Sequence, residues 1–153
     1  MENITKLGND IWYTLHYIVY NNKQPELFLK LFGIIFNCPA CQDDYLRSIE
    51  DIDNNFNEWL YNYHNQINIK LNKKCFEYEK INQYNCDPKY IKIINCLQCL
   101  SINLDNSITT KLKFRNFLKE VYKLNPFSFN DSEIDKIIRS KNMGINKLRY
   151  LFT

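Results

Sequence analysis

The sequence predicts an all-α fold: an antiparallel four-helix bundle, a short fifth helix and a helical C-terminal region. Two observations carry this. Apolar side chains return at helical spacing in successive segments joined by short connections, and no stretch reads as a convincing sheet. Residues 4–21 place Ile4, Leu7, Ile11, Leu15 and Ile18 near helical spacing, with Thr5 or Asn3 available as a cap. Asn21 to Pro25 reads as a turn, with Pro25 suited to the start of a second helix over residues 26–36. Pro39 interrupts that helix, and a third runs from about Ala40 to Ile49. The polar stretch Asp51 to Asn55 separates it from a fourth, predicted from Phe56 to Lys73 through Trp59, Leu60, Tyr63, Ile67 and Leu71. Beyond residue 76 the pattern loosens. Residues 88–100 suit a short fifth helix, and residues 108–123 are amphipathic. Asn125-Pro126 breaks the pattern, and Asp131 or Ser132 caps a last predicted helix, SEIDKIIRSK.

The chain has 153 residues, 45% of them hydrophobic and 24% charged, which suits one domain with a real core. A net charge of +3 gives no electrostatic footprint for nucleic acid or a membrane surface. Only three glycines occur, Gly8, Gly33 and Gly144. Their scatter excludes the glycine-rich phosphate cradles of Rossmann and P-loop enzymes, which need clustered glycines. Asn, Ile, Lys and Tyr dominate, a bias that reads as an AT-rich genome. The N-terminal segment has neither the basic nor the apolar region of a secretory signal, and no apolar run is long enough to span a membrane. The expectation is a soluble, cytoplasmic protein. Six cysteines in such a chain point to metal or redox chemistry before structural staples.

Four constellations carry chemistry. Cys38 and Cys41 form a CxxC at a predicted helix N-terminus, where unpaired N–H groups and the helix dipole favour a thiolate. Redox dithiol and half of a zinc site are level readings on spacing alone. Cys96 and Cys99 form a second CxxC, read as a shuttle disulfide, a structural disulfide, or the other half of that zinc site. The interval from Cys41 is long for a zinc ribbon. His64, Asn68 and Leu71 share a helix face, as do Asn65 and Asn68, and on their own read as solvated positions. Trp12 and His16 are i, i+4 neighbours, and on their own read as a core Trp with a hydrogen-bonded His.

In order and spacing these motifs resemble the Erv/ALR family of FAD-linked sulfhydryl oxidases. The residues are Leu7, Gly8, Trp12, Leu15 and His16; Cys38 and Cys41; then Trp59, His64, Asn65, Ile67, Asn68, Leu71, Lys73 and Phe76. The resemblance covers residues 7–78, and LNKKCFEYEKINQY is similar to the short members found in large DNA viruses. It sets a sulfhydryl oxidase domain over residues 1–100 and leaves 101–153 as a helical extension of unassigned role. There are departures. Tyr84 or Tyr90 would stand where the family often has Arg-Trp, and Cys75 and Cys86 do not match the spacing of the family's structural cysteine pair.

The resemblance implies FAD at the mouth of the bundle. Trp12 and His16, one and two turns after Gly8, would flank the ring system. His64, Asn65 and Asn68 would hold the adenine and ribose end, and Lys73, two residues after Leu71, would lie near a phosphate. Tyr45, Phe76 and Tyr84 would complete the pocket. It also implies that Cys38 meets the thiol substrate protein, such as a thioredoxin-like carrier, that Cys41 faces the flavin, and that O2 is reduced to H2O2. A homodimer through the first two helices and residence in host cytoplasm or virion go with that reading. The non-enzyme alternative is a zinc-binding interaction module using Cys38, Cys41, Cys96 and Cys99.

Overall fold

The structure is a computed structural model that describes residues 2–35, 39–102 and 107–124. Its elements are α1 (Glu2–Asn21), α2 (Glu26–Ile35), α3 (Pro39–Glu50), α4 (Phe56–Lys70), a 3-10 helix (Tyr78–Tyr84), α5 (Tyr90–Ile102) and α6 (Ile108–Leu124). Every regular element among the described residues is a helix, so the all-α expectation holds. The last predicted helix, around residues 132–141, lies outside the described residues. None of the described helices is long and apolar enough to cross a membrane.

Two pairings dominate the packing, α1 with α5 and α2 with α6; α3 then lies on α2 and α4 on α1. From α1, Leu15, Ile18 and Val19 enter a core that also takes Ile93, Ile94, Leu97 and Leu100 from α5. From α2, Phe28, Leu29 and Phe32 meet Phe114, Phe117, Leu118 and Val121 of α6. The Phe28 and Phe117 rings stack with centroids 5.6 Å apart. The amphipathic pattern of residues 108–123 is thus used inward, with α6 closing the core over α2.

The helix ends have local causes. Asn21 and Asn22 turn their amides back onto the Tyr17 and Ile18 carbonyls at 2.9 and 2.7 Å, which satisfies orphan acceptors where α1 stops. Asn55 caps α4: its Oδ1 accepts from Glu58 N at 3.1 Å while its Nδ2 donates to the Glu58 carboxylate at 3.0 Å. At the other end, α4 stops three residues before the predicted Lys73. Asn72 takes a left-handed conformation with φ 58, and Lys73 N then donates to Asn68 O at 2.7 Å. Asn tolerates that conformation better than most residues, so it terminates a helix that apolar spacing would have continued.

The 3-10 helix went unread in the sequence because tertiary hydrogen bonds hold it. Along one side of α1, Tyr20 OH donates to Asn82 Oδ1, Asn21 Nδ2 to Tyr84 O and Tyr17 OH to Cys86 O, and Tyr13 OH accepts from Lys89 N. The chain from residue 82 to residue 89 is laced to α1 by this row of side chains.

Gly33 sets the approach of α3 to α2. A Cβ there would come within 2.6 Å of the Tyr45 ring and 2.8 Å of Leu46. Gly33→Ala must therefore displace a buried ring, at a cost of about 1–3 kcal/mol. A urea midpoint equal to that of the wild type would show that the corner relaxes freely.

Candidate functional site

The sequence-predicted residues of α1 and α4 meet in one aromatic array. Trp12 and His16 project from successive turns of α1 toward Tyr63 and His64 of α4. Trp12 stacks flat on His64, with centroids 3.8 Å apart and planes 8° from parallel. His16 Nε2 and His64 Nδ1 are 2.9 Å apart, one donating and the other accepting. His16 also stacks on Tyr84 at 5.4 Å and meets the edge of Phe76 at 5.5 Å, while His64 meets Phe76 at 4.9 Å. Only 3% of His16 is exposed. Its ring is enclosed by His64, Phe76 and Tyr84, so it braces its neighbours and offers little free face.

Both imidazoles are neutral at ordinary pH. Burial, then the neighbouring His64, holds His16 down to about 3. Burial, then the Lys73 ammonium, holds His64 down to about 4. A protonated pair would place two donors nose to nose; the neutral pair makes one good hydrogen bond. Burial, then Tyr13, pushes the Tyr84 phenol up to about 12, so it stays protonated.

Asn65 has a use that its spacing did not reveal. Its Nδ2 donates to Phe76 O at 3.1 Å, and its Oδ1 accepts from Phe76 N and from Asn68 Nδ2, each at 3.2 Å. One amide side chain thus pairs with the backbone of Phe76 as a strand neighbour would. Both lone pairs of its oxygen are spent, leaving one N–H for anything else. Asn65 clasps the segment after α4 and sets the Phe76 ring against both histidines. The buried Asn68 orients that clasp through its Nδ2 and keeps its amide oxygen for another donor. Asn65→Ala leaves the Phe76 N–H and C=O without these partners, a loss of about 1–3 kcal/mol. Faster hydrogen exchange confined to residues 73–78 and the Phe76 amide is the expected signature, and unchanged exchange there would refute the clasp.

The remaining predicted residues are spread around this array. Tyr45 is not in ring contact with the histidines. It is 4% exposed, donates its hydroxyl to Leu29 O at 2.8 Å, and packs edge-on against Trp59 and Tyr63. Tyr63 completes the connection, 6.3 Å from Trp12. Tyr63 was read only as a core position, although its i+4 spacing from Trp59 was the available signal. Leu71 is 58% exposed beyond the end of α4. The helix face it was predicted to share with His64 and Asn68 ends before it, because the turn at Asn72 follows directly. Gly8 is half-buried with open space where a Cβ would stand.

Of the cysteines, Cys38 lies outside the described residues, and Cys41 is described only as a backbone position in the first turn of α3. Cys96 is 1% exposed between α5 and α1, a free thiol beside Thr14 and Asp10, and burial pushes it up to about 12. Cys99, one turn on, is half-buried. Cys75 and Cys86 are exposed free thiols. Among the described residues no group of three or more His, Cys, Asp or Glu side chains could hold a metal.

The array can be tested for its fit to a flavin dinucleotide. It supplies flat aromatic faces, two neutral imidazoles, an amide acceptor on Asn68 and the Lys73 ammonium near His64. This donor set suits a planar heterocycle joined to phosphate. Rings 3.8 Å apart are already in contact, so no planar group fits between Trp12 and His64; it must lie on an outer face. With that restriction, the residues fit.

Comparison with known proteins gives one positive result: the Erv1/Alr family model matches residues 9–86. No curated protein and no solved structure matches the chain significantly. The matched span runs from the residue before Asp10, through the Trp12–His16 turn and the CxxC, to Cys86 within the segment laced onto α1. It takes in just over half of the sequence and all of the aromatic array, and the chain belongs to the Erv1/Alr family, known for FAD-dependent sulfhydryl oxidase activity.

Proposed function

We propose that this chain is a thiol oxidase that binds FAD, forms disulfides in substrate proteins through Cys38 and Cys41, and delivers the electrons to O2. The observation that carries the proposal is the aromatic array itself. Two neutral histidines interleave with Trp12, Phe76 and Tyr84, and Tyr63 and Tyr45 join them to the helix that begins at the CxxC.

The outer faces of Trp12 and His64, the Asn68 amide oxygen and Lys73 would hold the cofactor. When bound, FAD supplies the two-electron chemistry that returns the CxxC to its disulfide and passes the electrons to O2 as H2O2. The chain's own work is thiol exchange. A substrate thiolate attacks the Cys38 sulfur, the Cys38–Cys41 bond breaks, and Cys41 leaves as a thiolate favoured by the N-terminus of α3. The second substrate thiolate then attacks the substrate sulfur of the mixed disulfide, releasing Cys38 and an oxidised substrate. The balance is two thiols and one O2 in, one disulfide and one H2O2 out. Burial holds the Tyr45 and Tyr84 phenols protonated, so neither serves as a general base. Residues 101–153 are proposed as an extension beyond the oxidase domain, with α6 as its contact to α2.

The test is oxygen uptake with dithiothreitol by the purified full chain, read beside its visible spectrum. A flavin band that leaves with unfolding, together with dithiol-dependent oxygen uptake, supports the proposal. A colourless protein that carries zinc overturns it.

A further inference from the structure

Gln42 follows Cys41 directly, and the motif and family pattern assign it nothing. Helix α2 ends at Ile35, so its last four carbonyls have no partner within the helix. Gln42 Nε2 donates to two of them, Gly33 O at 2.7 Å and Ile34 O at 2.9 Å. Two carbonyl acceptors fix the orientation of the amide, because only its nitrogen can donate. One turn further along α3, the Tyr45 hydroxyl holds Leu29 O at 2.8 Å, and the missing side chain at Gly33 lets the Tyr45 ring lie close against α2. The first turn of α3 is therefore tied to the last turn of α2. In sequence these two helix ends bracket Cys38, and Cys41 belongs to the first turn of α3.

We propose that Gln42 is a positioning residue for the Cys38/Cys41 couple. It holds the bracketing helix ends together in both redox states, so closing the disulfide orders less chain than it would in an untied corner. The proposal rests on reading that pair as the redox couple. Its prediction is an equilibrium: with the tie lost, the couple moves toward the dithiol.

The experiment equilibrates the full-length holoprotein anaerobically in glutathione buffers, then quenches, alkylates and quantifies the Cys38–Cys41 disulfide by mass spectrometry. Gln42→Met, similar in shape but without donors, is expected to shift the equilibrium toward the dithiol about tenfold, or about 30 mV for a two-electron couple. Gln42→Asn keeps the amide but is one methylene too short, and shifts it the same way, which decides the matter should the Met variant fold poorly. Gln83→Met, an exposed change in the 3-10 helix, leaves it unmoved. The flavin spectrum stays that of the wild type in all three, which separates a couple that has shifted from a cofactor site that has been damaged. Wild-type potentials in both Gln42 variants would overturn the positioning role while leaving the oxidase reading intact. A wild-type protein that forms no Cys38–Cys41 disulfide in any buffer would overturn both.

Discussion

Replacing Cys41 by serine should abolish dithiol-dependent oxygen uptake and leave the protein yellow. The two halves of this result come from different parts of the molecule. On the proposed mechanism turnover needs a sulfur at position 41, because serine can neither form the disulfide nor leave from it as a stabilised anion at neutral pH. Loss of one member of a unit that acts together removes nearly all of its effect, so activity should fall at least about a thousandfold. Cofactor retention, by contrast, would depend on the proposed site at Trp12, His64, Asn68 and Lys73, contributed by α1, α4 and the segment after it. Tyr45 of α3 and Tyr63 of α4 link α3 to that array through ring contacts in which residue 41 has no part. Oxygen uptake and the visible spectrum of one preparation check both halves. Retained turnover would remove Cys41 from the chemistry. A colourless variant would mean that the thiol itself holds the cofactor.

What the sequence made legible was periodic or local. Trp12 and His16 at i, i+4, and His64 and Asn68 at the same interval, are pairs that any straight helix places on one face, so two halves of the array could be read before their meeting was known. Their meeting is a tertiary fact: α1 must cross α4 with the Trp12 and His64 planes parallel. The contribution of Tyr84 was harder to see. Nothing in residues 78–84 has a period, and the ring reaches His16 only because Tyr17, Tyr20 and Asn21 fasten residues 82–86 to α1. Asn65 shows another limit of spacing. A motif position suggests a ligand contact, but the acceptor capacity of its amide is already committed to Phe76 and Asn68. The end of α4 turned on one residue, Asn72, whose left-handed backbone outweighs the apolar spacing that pointed on to Leu71 and Lys73. Amphipathicity announced α6 correctly, yet a hydrophobic face does not name its partner. Phe28 and Phe32 of α2 supply it.

Acidification from pH 7 to pH 4 should destabilise the fold well before most carboxylates titrate. The chain has two histidines, and both are held neutral in the folded state, His16 to about 3 and His64 to about 4. In the unfolded chain each titrates near 6.5. Above that pH neither state binds the protons, and these groups leave stability unchanged. Between about 6.5 and 4 the unfolded chain binds protons that the native chain does not, so stability falls as pH falls. The slope is about 1.4 kcal/mol per pH unit for each group that is fully excluded from titration. For the enclosed His16 this amounts to a loss of about 3 kcal/mol by pH 4. The half-buried His64 adds less, because solvent screens part of its shift. Below about 3 the native state takes up the protons as well, and this contribution levels off. Urea midpoints measured from pH 7 to pH 5 isolate the effect, and His16→Gln should flatten the dependence by removing its steeper half. The imidazole ring protons offer an independent check: in the folded protein neither should titrate in that window. A histidine resonance with a midpoint near 6.5 would mean that the pair is open to water, and the closed array of Trp12, His16, His64 and Tyr84 would not be the state in solution.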